Sequence, residues 1–137
     1  MQKLLYVTPH LSTGGAPQYL LRKLELLLND YDIHVIEFQD FGIFRVQKDQ
    51  IIDLLKNPLI TLGDDKYEIM THIKNIRPDI IHFEEMPELF SISDELSHLI
   101  YHPNRQYKFL RLLMIRLLSL ETKNFFQINS YSVVIIN

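Results

Sequence analysis

The stretch that decides the fold is KLLYVTPHLSTGGAPQYLLRKLELLL, residues 3–28. Its first six residues form an apolar run that reads as a strand, and Pro9 ends it. A polar loop then leads to the pair Gly14 and Gly15, and Pro17 opens a helix. Leu20, Leu21, Leu24, Leu27 and Leu28 recur at three- and four-residue spacing, with Arg22, Lys23, Glu25 and Asn29 assigned to the opposite, polar side. The order is strand, glycine turn, helix. Glycine lets a backbone pass close to a ligand, and the unpaired N–H groups at a helix start favour an anion such as a phosphate.

Working outward, strand and helix patterns alternate. Residues 33–38 read as a second strand and 41–46 as an irregular aromatic passage. Residues 50–56 form an expected helix that buries Ile51, Ile52, Leu54 and Leu55, and 59–62 a short strand. Residues 66–76 carry Ile69, Ile73 and Ile76 on one helical face and are stopped by Pro78. Residues 79–83 are a clear strand, followed by the acidic loop Glu84, Glu85, Met86, Pro87, Glu88 and a helix to about Ile100. Such alternation with short loops predicts an α/β fold: a Rossmann-like, doubly wound parallel sheet whose ligands gather at the carboxyl ends of the strands. The loops 9–16 and 84–88 both follow strands and fall on that edge.

Composition sets outer bounds. The chain has 137 residues, 47% of them hydrophobic, enough for the core of one ordinary domain. A net charge of −3 gives no general attraction to nucleic acid or anionic lipid. Without cysteine there is no disulfide or thiolate chemistry, and a cytoplasmic location is the expectation. The start lacks the apolar core of a signal peptide. The loop has neither the GxGxxG of dinucleotide domains nor the Lys-Ser/Thr of a P-loop. Six scattered histidines form no metal motif, so neither metal nor cofactor is expected. Asp30 and Asp32 imitate a metal-binding aspartate pair but sit between a helix end and a strand start.

Three segments together carry a resemblance. The 3–28 stretch, DIHVIEF at 32–38 and RPDIIHFEEMPE at 77–88 resemble, in order and spacing, the N-terminal Rossmann-like domain of the GT-B glycosyltransferases of retaining family 4 (glycosyl transferases group 1). The likeness covers roughly residues 1–100. It implies the acceptor-side half of an enzyme that moves a sugar from a nucleotide sugar to a hydroxyl acceptor, inactive without its donor-binding half. It places Gly14 and Gly15 at the donor diphosphate, and His10, Glu84 and Glu85 on the acceptor side. Glu84 stands where several members have a second histidine after the one matched by His82, which makes it a catalytic candidate of altered chemistry. A lone histidine in an apolar strand is otherwise a core residue, and acids at a helix start are otherwise solvated charges.

Beyond residue 108 the likeness is lost. Residues 107–110 suit the beginning of the family's next strand, but 109–120 read as an apolar helix bearing Arg111 and Arg116, and 131–136 as a lone strand. The expected division is a glycosyltransferase domain at 1–108 and an atypical tail at 109–137. The tail is a basic amphipathic helix touching a membrane surface, a substitute core helix, or a departure from the family's reading frame in a truncated chain, the last being favoured. The alternative function is a non-catalytic α/β binding or regulatory module whose glycines serve structure alone.

Overall fold

The computed structural model describes residues 1–12, 14–84, 94, 98, 104, 106, 108–113 and 132–136, with 109–113 and 132–136 described by backbone alone. The chain runs β1 (Gln2–Thr8), α1 (Gly15–Leu27), β2 (Tyr31–Glu37), α2 (Val46–Leu54), β3 (Ile60–Thr61), α3 (Glu68–Ile76), β4 (Ile80–Phe83), β5 (Lys108–Leu113) and β6 (Ser132–Ile136). The sheet order is β3-β2-β1-β4-β5-β6. Every neighbouring pair through β5 is parallel, and β6 joins β5 antiparallel. This is a Rossmann-like α/β fold.

The strands are apolar on both faces because helices cover both. Leu4, Tyr6, Ile33 and Val35 pack beneath α1 and α2 with Leu20, Leu24 and Ile51. Leu5, Val7, Ile36, Ile81 and Phe83 pack on the other face against Ile69, Ile73 and Ile76 of α3. Period-2 alternation in β1 and β4 therefore sends residues 6 and 82 to the α1 face and residues 7 and 83 to the α3 face. Helix α3 ends where Arg77 takes a left-handed conformation, φ 51°, before Pro78.

Several expectations need correction. The strand beginning that residues 107–110 suit is present and runs on as β5, so residues 109–113, expected to open an apolar helix, are strand instead, because the open edge of β4 offers a ladder: Ile81 pairs with Phe109 and Phe83 with Arg111. A short apolar run does not reveal its own period, and the neighbouring strand decides. The strand near 131–136 is not alone but closes the sheet as β6. Helix α2 begins earlier than the apolar pattern implied and buries Lys48 and Ile51, leaving Ile52 and Leu54 exposed. Helix α1 starts at Gly15, so Pro17 is its third residue. Of the helix expected to about Ile100, Asp94 and His98 are described, and both are helical; residues 114–120 lie outside the described set.

Candidate functional site

From β1 the chain winds outward to β2 and β3, then returns across the sheet to β4 on the far side of β1. The winding therefore reverses between β1 and β4. In open α/β sheets a ligand crevice opens at the carboxyl ends of the two strands flanking that reversal. The loops after β1 and β4 meet there: Phe83 pairs with Val7, and the Glu84 N–H donates to the Val7 carbonyl at 3.0 Å.

The first loop delivers free N–H groups. Gly14 is the N-cap of α1 at φ 119°, ψ −168°, a conformation that is essentially glycine's alone. Among the described residues no side chain caps the helix, and its first turn holds no acid. Pro17 has no N–H, so the donors open to a ligand are those of Gly15 and Ala16 with Gly14 behind them, at the positive end of the helix dipole. Gly15 differs from Gly14. It has no left-handed φ, and a Cβ built on it meets no described residue within 4 Å. Neither backbone strain nor packing requires a glycine at 15, so what it leaves is open approach to the helix start.

The second element is a buried polar cluster on the α1 face. Lys23 Nζ lies 3.0 Å from His82 Nδ1, 4.5 Å from the centroid of the Tyr19 ring and 5.2 Å from that of Tyr6. Burial and the adjacent Lys23 push His82 down to about 3. Its ring is therefore neutral near pH 7, with Nδ1 accepting from the ammonium and the proton on Nε2. Burial lowers Lys23 to about 8, against a smaller upward pull from Glu84. Burial raises Glu84 to about 7, partly offset by Lys23 and by the facing Thr8 hydroxyl. Although Thr8 faces Glu84, neither Thr8 Oγ1 nor Glu84 Oε1 finds a hydrogen-bond partner among the described residues, and neither does His82 Nε2. Tyr6 beneath them is pushed above the usual phenol range, first by burial and then by Tyr19, Glu84 and Tyr31. One orphaned N–H donor and two orphaned oxygens on adjacent strand ends complement a hydroxyl group, which donates and accepts at once.

A third network fixes the loop. Glu37, fully buried at the end of β2, accepts from the Leu11 N–H at 2.8 Å, from Thr61 Oγ1 at 3.1 Å and from Lys48 Nζ. Lys48 also reaches Asp40 at 2.7 Å. In dinucleotide-binding folds an acid at the end of β2 holds a ribose hydroxyl. Here that acid is spent on the protein's own loop.

The structure thus brings Gly14, Gly15 and Glu84 to one sheet edge. It buries Glu84, unlike a solvated helix-entry acid, and it buries His82, as a histidine in an apolar strand is expected to be. His10 is on the same edge, but its Nδ1 is 2.9 Å from Ser12 Oγ and its ring packs on Phe41. Glu85 lies outside the described residues. Asp32 binds Asn57 and His34 at the opposite edge, and among the described residues no three acids or histidines gather as a metal site requires. Lys23 was missed because helical spacing set it on the polar side. The signal was its place four residues after Tyr19 and one before the buried Leu24. Lys48 and Glu37 were missed because a buried ion pair leaves no periodic trace.

No family model, curated protein or solved structure significantly matches the chain.

Proposed function

We propose that this domain is the acceptor-side half of a GT-B glycosyltransferase, which moves a sugar from a nucleotide sugar to a hydroxyl acceptor. The reading rests on the resemblance carried by residues 3–28, 32–38 and 77–88, and one observation supports it above the others. The uncapped start of α1, kept open at Gly15, lies at the same strand-end edge of the sheet as buried hydrogen-bonding groups that lack a partner among the described residues and suit a hydroxyl. Gly15 and Ala16 donate to the departing diphosphate, and donors fixed in place stabilise its developing charge without reorganisation. Glu84, poised near neutrality and facing Thr8, takes the acceptor proton, while His82 Nε2–H holds the acceptor oxygen. Lys23 fixes the His82 ring and its tautomer. A second, donor-binding domain supplies the other wall, since water exclusion and alignment need both.

The test is ligand-linked stability of the 137-residue chain. Uridine diphosphate should raise its thermal midpoint where uridine does not, the gain reaching about 2.7 kcal/mol at a hundredfold excess over Kd. Equal response to both, or none to either, favours the non-catalytic module, in which the glycines serve only the turn.

A further inference from the structure

Residues 39–46, the loop after β2 together with the first residue of α2, form eight consecutive exposed positions, and four of them are apolar. Phe41, Ile43, Phe44 and Val46 are 48–73% exposed. Such a run is the reverse of what folding rewards, because each of these side chains gains free energy when taken from water. Yet the loop is held in shape. Asp40 accepts from the Gly42 N–H at 2.8 Å, pairs with Arg45 at 3.6 Å and anchors to the buried Lys48. Gly42 sits at φ 70° and Phe44 at φ 52°. A left-handed backbone is costly for a bulky residue, and Phe44 is two-thirds exposed, so no burial in the chain offsets that cost.

The geometry points to this loop as an apolar wedge that docks the domain on a lipid bilayer surface. Area and charge select that occupant. Four such side chains expose roughly 400 Å², enough to mark an interaction site but about half of the ~800 Å² each partner contributes to a standard protein interface. A protruding tip of this size needs no shaped partner in a fluid interface, where the outer few ångströms accept apolar side chains. Arg45 is paired with Asp40 and Asp49, so the tip carries no free cation, and docking is driven by apolar burial with little dependence on anionic lipid. Phe41 packs on His10, their ring centroids 4.9 Å apart, which joins the wedge to the loop of the candidate site and turns that edge toward the membrane. Docking stands apart from the transfer chemistry proposed above, and its failure leaves that reading untouched.

The chain has no tryptophan, so Phe44→Trp supplies a unique reporter. With phosphatidylcholine vesicles its emission should shift to the blue, persist in 0.5 M salt and be quenched by lipid brominated along the acyl chain. Adding Phe41→Ser should weaken partitioning by about tenfold or more, with the far-ultraviolet dichroism unchanged because the side chain is half exposed. An emission unmoved by vesicles overturns the proposal. So does a shift seen only with anionic vesicles and lost in salt, or a lipid-free shift that grows with protein concentration and marks self-association.

Discussion

Replacing Glu84 by glutamine should stabilise the domain, and by an amount that depends on pH. Glu84 is buried near Thr8, Tyr6 and Lys23, and its folded value near 7 stands above the usual 4.5. Below about pH 4.5 it is protonated folded or unfolded and costs nothing. Between 4.5 and 7 the unfolded chain ionises while the folded one resists, so stability falls as pH rises, and the loss is complete above 7. The span of 2.5 units corresponds to roughly 3 kcal/mol. Loss of the Glu84 charge also withdraws its support from Lys23, so that figure is an upper one. His82 acts with the opposite sign. Held at about 3 instead of 6.5, it takes stability away as pH falls through that window. The two slopes cancel in the wild type between pH 4.5 and 6.5. Glu84→Gln should unmask the His82 slope, about 1.4 kcal/mol per pH unit. Urea unfolding of both proteins at half-unit steps from pH 4.5 to 8 measures this. A stability difference that stays flat across the range refutes the buried, proton-holding Glu84.

Other substitutions test the loop and its anchor. Gly14→Ala should cost roughly 1–3 kcal/mol of stability from its φ alone, whereas Gly15→Val should leave urea stability nearly unchanged yet weaken uridine diphosphate binding measured calorimetrically; equal binding would return Gly15 to a structural role. Lys48→Met strands the Glu37 carboxylate in the interior and should cost about 3–5 kcal/mol, read from the denaturation midpoint. Adding Glu37→Gln should restore part of that loss, and a loss below 1 kcal/mol would show that the pair does not anchor the loop.

How legible each part was follows from what its residues had to satisfy. Strands β1 and β4 and helix α3 were readable because one requirement, apolar burial at a fixed period, set nearly every position; Ile69, Ile73 and Ile76 are the plain case. Strand β5 was legible only at its start, and residues 109–113 read as helix because what makes them a strand is pairing with β4, which no local pattern records. Within the site, Gly14 and Gly15 were visible as residues but not distinguishable: only backbone angles show that one is demanded by the turn and the other is not. Glu84 was legible as a candidate acid but not as a buried one, because its burial comes from its place directly after the β4 strand, next to the end of β1. Lys23, His82 and Thr8 come from three separate elements, and only the parallel register of β1 with β4 brings them together.

The central claim is that the start of α1 receives a diphosphate at the β1–β4 crevice. Titrating the ¹⁵N-labelled chain with uridine diphosphate and following each backbone amide tests it most directly. The account predicts saturable shifts largest at Gly14, Gly15 and Ala16, with smaller ones at Glu84, and none of comparable size with uridine. No saturable change at those three amides, or changes centred on another edge of the sheet, would contradict it.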